Sequence, residues 1–158
     1  MNSHHTVAIG TWEGDKQQSI EYNSSIAVGI DCPRAKLRVS ILLDTIQEYQ
    51  VRYIFSDEEI SEAVNEAGLI IGARGIAYEG VLQRKPVIVV GEYGFGGLVT
   101  PDTLQEQYNN YFRGKINGIK AEYFSLERLE EEIRRGFALT FQELQMMSNQ
   151  TIRFLHNI

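Results

Sequence analysis

The sequence predicts an α/β protein built on a Rossmann-like, doubly wound parallel sheet of about six strands, with helices on both faces and a helical C-terminal tail. Three observations predict it. Short β-branched runs alternate with segments of helical periodicity along the chain. The strand candidates are almost wholly apolar, as strands covered on both faces are. Right-handed crossovers between successive parallel strands then wind such a sheet outward in both directions.

The elements follow in order. "TVAIG" (6–10) reads as the first strand and "DKQQSIEY" (15–22) as a short helix or turn. "SIAVGI" (25–30) is the second strand. Pro33 suits a first helical position, and Leu37, Ile41, Leu42, Ile46 and Tyr49 repeat behind it at helical spacing. "VRYIF" (51–55) is the third strand. Ser56 and Glu59 then have the spacing of a capping box, with Ile60, Ala63, Val64 and Ala67 as the buried stripe of the next helix. "LIIGA" (69–73) is the fourth strand, Ile76 to Gln83 a helix, and "PVIVV" (86–90) the fifth strand. A glycine-rich loop, "GEYGFGG" (91–97), leads to a helix from Pro101 to about Phe112, and "AEYF" (121–124) is a candidate sixth strand.

Ser125 caps the tail. There Leu126, Leu129, Ile133, Phe137, Thr140, Leu144 and Met147 keep one face, with Gly136 as a weak point. Ile152 and Leu155 continue the stripe after a break at "SNQ". That stripe either packs on the domain or meets a partner, in which case the C-terminal helices are the place for a homo-oligomer.

The 158 residues suit one domain spanning 1–158, with the tail from about 125 to 158, and enclose a real core. Hydrophobic residues make up 43% and charged residues 23%, ordinary for a soluble globular chain. A net charge of −6 without a basic face argues against nucleic acid as a partner. No apolar run approaches the roughly 18–20 residues of a membrane span. A single cysteine, Cys32, cannot form an internal disulfide, so a cytoplasmic location is expected.

In folds of this kind, ligands bind beyond the carboxyl ends of the strands, where the strand order switches. That rule selects the loops "GTWEGDK", "DCPR", "FSDE", "ARGIAYE" and "GEYGFGG", which gather Lys16, Ser56, Arg74, Glu79 and Glu92 on one rim. A phosphate would meet the amides that open the helix at Gly75, together with one or two cations. Glu79, one turn into that helix, has the reach to accept the two hydroxyls of a ribose; its other reading is solvated helix surface. The dinucleotide pattern Gly-x-Gly-x-x-Gly is absent after the first strand. No Ser/His/Asp or Cys/His arrangement and no metal-ligand spacing stands out, so the catalytic group is unassigned and no metal or cofactor is expected.

With the loops placed, residues from about Thr6 to Asn149 resemble the C-terminal, nucleotide-sugar-binding half of GT-B-fold glycosyltransferases, in particular retaining, family-4-like bacterial members. "VAIGTWEGDKQQ" is similar to that half's first strand and loop: Gly10 and Lys16 match, Asp15 replaces a glutamate and Thr11 an arginine. "YEGVLQRKPVIVVGEYG" is similar to the Leu-Glu-Ala-x-Ala-x-Gly-Lys-Pro-Val signature, and "GLVTP" and "NNYFRGK" to segments that follow it. An earlier glutamate carried by many retaining members is Ile71 here.

The resemblance implies a donor diphosphate held by Gly10, Thr11, Lys16, Arg74, Gly75 and Ile76, and a ribose held by Glu79. It implies a base framed by Phe55 and Ser56, and a loop near the donor containing Glu92 and Gly94. It further implies sugar transfer from a nucleotide sugar, without an obligatory metal. The acceptor would sit on a separate domain or subunit, so the chain alone is expected to be inactive. The alternative is a non-catalytic Rossmann-like binding or assembly module descended from such an enzyme.

Overall fold

The computed structural model describes residues 4–13, 16–115 and 118–157, with side chains from residue 23 onward. The chain runs β1 (His4–Glu13), β2 (Lys16–Asn23), β3 (Ser25–Gly29), α1 (Pro33–Ile46), β4 (Gln50–Tyr53), a 3-10 turn (Asp57–Glu59), α2 (Ile60–Glu66) and β5 (Leu69–Gly72). It continues with α3 (Gly75–Leu82), β6 (Val87–Gly91), β7 (Gly94–Leu98), α4 (Leu104–Asn109), α5 (Leu126–Phe137) and α6 (Phe141–His156).

The main sheet has five strands in the order β4-β3-β5-β6-β7, and the first four are parallel. The chain enters at β3, steps outward to β4, and returns to the other side of β3 to lay down β5 and β6. Strand order therefore reverses between β3 and β5. Alternate side chains sort the core into two layers. Ile26, Val28, Leu69, Ile71, Ile88 and Val90 pack with Val39 and Leu43 of α1 and Leu129 and Ile133 of α5. Ala27, Ile70, Val87 and Val89 pack on the other face with α2, α3 and Met147 of α6. A mostly parallel sheet between two helical layers is the predicted α/β class.

Several expectations are corrected. The first strand does not enter the parallel sheet. β1 and β2 form a separate antiparallel hairpin, with Glu13 opposite Lys16. The sequence between them is Gly-Asp, a dipeptide that favours two-residue hairpin turns, and "DKQQSIEY" is mostly strand rather than helix. The glycine-rich segment is largely an edge strand, β7, antiparallel to β6, and Gly91 pairs with Gly94 across a two-residue turn. "AEYF" is a turn ending in buried Phe124 and forms no sixth strand. Helix α4 starts at Leu104, after a turn in which Thr100 and Thr103 exchange hydrogen bonds.

The capping box at Ser56 is not made: a 3-10 turn begins there, Ser56 makes no side-chain cap hydrogen bond, and its hydroxyl donates at 3.4 Å to Glu59 Oε1 instead. The box is instead at Thr140 and Glu143, opening α6. Ser125 caps α5 as expected, accepting from the Arg128 amide. The tail breaks at 138–140, whereas "SNQ" lies inside α6. Most of its stripe packs on the domain, with Ile152 and Leu155 partly exposed. On α1 the buried set is Ala35, Val39, Leu42 and Leu43, while Leu37 and Ile41 point to solvent at 61% and 51% exposure.

Candidate functional site

A cleft of about 810 Å³ opens at the carboxyl ends of the parallel strands, over the point where their order reverses. That is where an open α/β sheet leaves room, because the helices following β3 and β5 depart to opposite faces. Its wall takes Asp31 and Cys32 from the loop after β3, Phe55 and Ser56 from beyond β4, Arg74 to Ile76 and Glu79 from the β5–α3 turn, and Glu92 from the β6–β7 turn. The volume lies within the range of ordinary small-ligand pockets.

The floor is shaped by small residues. Gly29 and Gly72 face each other as register partners of β3 and β5. A Cβ on Gly72 would collide with the Gly29 carbonyl and come within 2.6 Å of Ile76 Cγ2. Glycine at this place lets α3 start directly over the strand ends. The N-cap residue of α3, Arg74, makes no side-chain cap hydrogen bond. The first-turn amides of a helix have no intrahelical acceptor, and Gly75 and Ile76 line the cleft, so these donors and the positive end of the helix dipole serve it.

Arg74 is the residue that turns the chain from β5 into α3. Its backbone is at φ 57° and ψ −125°, the first central position of a type II′ turn, where glycine is the usual occupant. Its amide donates to the Phe112 carbonyl, and its own carbonyl accepts from Tyr78. Both bonds hold the turn in place. The guanidinium reaches Glu92 at 2.5 Å, which raises the Arg74 pKa and holds the Glu92 carboxyl below the usual carboxylate range. The same Glu92 oxygen lies 3.5 Å from a guanidinium nitrogen of Arg113. Arg113 stacks on Tyr93 and Tyr111, with its guanidinium carbon 4.5 and 5.3 Å from the ring centres.

Glu79 is half-buried on the cleft wall one turn into α3, and one carboxylate oxygen accepts from Gln83 Nε2 at 3.1 Å. Gln83 also donates to the Ser61 carbonyl, so the carboxylate is oriented by a partner that is itself tethered. Phe55 stands at the opposite rim, 75% exposed, with the Lys36 ammonium 4.0 Å over its ring. An apolar face this open at a cleft edge is a platform on which a flat group can stack.

Seven of the residues singled out from sequence meet in this cleft: Phe55, Ser56, Arg74, Gly75, Ile76, Glu79 and Glu92. Gly94 has a different place. It starts β7 at φ +127°, where an added Cβ would come within 2.7 Å of the Ile119 carbonyl oxygen, so its role is to close the β6–β7 turn. Gly10, Thr11 and Lys16 belong to the hairpin, where the register shifts between Ile9 and Trp12; their side chains, and Asp15 altogether, lie outside the described residues.

Sequence reasoning passed over Asp31, Cys32 and Arg113. The first two sit in a loop that the strand-end rule had selected. Arg113 carried no such signal: its place follows from two consecutive left-handed residues, Tyr111 and Phe112, with the Phe112 ring buried and the Arg113 guanidinium beside Glu92. Among the described residues no group of His, Cys, Asp or Glu is arranged to hold a metal, and no helix is long and apolar enough to cross a membrane. Comparison with protein-family models, curated proteins and solved structures gave no match to this chain.

Proposed function

We propose that the cleft binds a nucleoside diphosphate, in the form of a nucleotide sugar. One observation carries the reading. An uncapped helix N-terminus, a guanidinium and a carboxylate one turn further on converge on a single cleft at the switch point. The chemistry then divides naturally. The amides of Gly75 and Ile76 and the Arg74 guanidinium take the diphosphate. Glu79 takes the ribose hydroxyls with its carboxylate, and the Phe55 ring, with Ser56 beside it, offers the base a surface to stack on.

In a donor-binding half of a glycosyltransferase these groups would stabilise charge on the departing nucleoside diphosphate. An acceptor would be held by a further domain or subunit, and a pair of chains would meet through the exposed end of α6. A second reading has its own support. An antiparallel hairpin stands where the family resemblance implies a parallel first strand with a phosphate-contacting loop. That favours a module that binds the nucleotide without transferring its sugar. The lone Cys32 agrees with a reducing, cytoplasmic setting for either.

Calorimetric titration with UDP-, GDP-, ADP- and CMP-linked sugars tests the proposal, and no heat of binding from any of them at millimolar concentration refutes it. Glu79→Gln sharpens the assignment. If the carboxylate accepts the ribose diol, affinity falls about tenfold, as for a lost hydrogen bond to a charged group, with the melting temperature unchanged. If Glu79 only orients its own helix, the substitution lowers the melting temperature and leaves affinity alone.

A further inference from the structure

One oxygen of Glu92 is shared by two guanidinium groups, Arg74 at 2.5 Å and Arg113 at 3.5 Å. The geometry points to Glu92 as a built-in occupant of an anion site whose second cation is Arg113, a carboxylate that gives way when a diphosphate enters. This rests on the nucleotide reading of the cleft and adds to it a residue and a competition.

The parts differ in freedom. Arg113 is three-quarters buried, its Nε donates to the Asn110 carbonyl, and its guanidinium lies across Tyr93 and Tyr111. It is a fixed cation. Arg74 and Glu92 are about half exposed, at 55% and 44%. Their backbones are pinned, Arg74 by Phe112 and Tyr78, and Glu92 within the short turn between Gly91 and Gly94. Only the side chains need rotate. The first-turn amides of α3 belong to the same cleft wall, so an anion between the two arginines would also reach donors that a carboxylate on Glu92 leaves unused.

A phosphate oxygen resembles a carboxylate oxygen as a guanidinium acceptor, and a diphosphate carries more of them.

The experiment uses the full chain and inorganic pyrophosphate, with UDP, GDP and the nucleosides uridine and guanosine in parallel. Glu92→Gln removes the competing charge at nearly constant shape and is expected to tighten pyrophosphate and nucleoside diphosphate binding about tenfold, with the nucleosides unaffected. Arg113→Gln is expected to weaken both anions, Arg113→Lys to restore part of the loss, and Glu92→Gln/Arg113→Gln to lack the gain of the first variant.

Unchanged or weaker anion binding by a folded Glu92→Gln overturns the proposal, as does an equal gain for nucleosides. Arg113→Gln binding pyrophosphate like the parent overturns it too. If nucleotide sugars bind the parent but the variants behave in those ways, the cleft assignment stands and only the competition falls. If nothing binds any of the proteins, both fall.

Discussion

The turn at Arg74 is the most exacting place in the molecule to perturb. An arginine there carries a backbone at φ 57° and ψ −125°, while its guanidinium serves the cleft. Arg74→Ala and Arg74→Gly both remove the guanidinium, so whatever it contributes is lost equally from each. They differ in main-chain cost alone. A side-chain-bearing residue held in such a region costs about 1–3 kcal/mol, and glycine gives back roughly 0.5–1 kcal/mol through its freer unfolded chain. At mid-range the two leave the glycine variant more stable than the alanine variant by about 1 kcal/mol. For a domain of this size each kcal/mol moves the melting temperature by about 2–4 °C, giving a gap of about 2–4 °C. Thermal unfolding followed by far-ultraviolet circular dichroism measures it directly. Nucleotide affinity should fall by the same factor in both. Equal melting temperatures, or a less stable glycine variant, would mean that the turn is unstrained and that the arginine holds its position at no cost.

Two other expectations concern the same end of the sheet. Gly72→Ala brings a methyl group against the Gly29 carbonyl and Ile76, and overpacking of this kind costs about 1–3 kcal/mol. Urea unfolding should register that loss together with weaker nucleotide binding, and an alanine variant as stable as the parent would show that the floor has slack. Glu92, held by Arg74, should titrate below the ordinary glutamate value of 4.5. Since its folded pKa is depressed, the stabilisation it brings is present above that ordinary value and disappears as pH falls through the lower folded one. Carbon-13 NMR of the carboxyl should give a midpoint that moves up in Arg74→Ala; a native midpoint at or above 4.5 contradicts the ion pair.

The parallel part of the sheet was legible because its strands are short, apolar and separated by helical periods, and "SIAVGI", "LIIGA" and "PVIVV" all fall in it. Of the five residues that the strand-end rule names, Ser56, Arg74, Glu79 and Glu92 line one cleft, while Lys16 belongs to the hairpin. What the sequence concealed has physical causes. The hairpin was hidden because "TVAIG" alone looks like a sheet strand, and its pairing depends on a partner, "DKQQSIEY", whose sequence reads as a short helix or turn. On α1, leucine and isoleucine at helical spacing suggested a buried face, but the sheet takes the face bearing Ala35 and Val39, whose smaller side chains allow a close approach. Arg113 was invisible because its place is decided by two left-handed backbone angles in the residues before it. Thr140 and Glu143 carried a capping signal as clear as that at Ser56, and only the break in the tail reveals which of the two is used.

The Ser148 hydroxyl donates to the Leu82 carbonyl at 2.9 Å, across 66 positions of sequence. Leu82 ends the helix that begins at Gly75, and eight residues are too few for a helix to keep its shape in isolation. The aim of the amides at one end of α3 is therefore set at the other end by a segment that comes last in the chain. A shortened protein stopping after α5 would retain every residue of the cleft wall and lose the splint behind it. Met147, buried against the same layer, would leave with that splint, and Tyr108 would lose the Phe154 ring packed on it at 4.6 Å. The smallest unit able to point those donors consistently thus runs to the end of α6, well beyond the last residue that a ligand could touch.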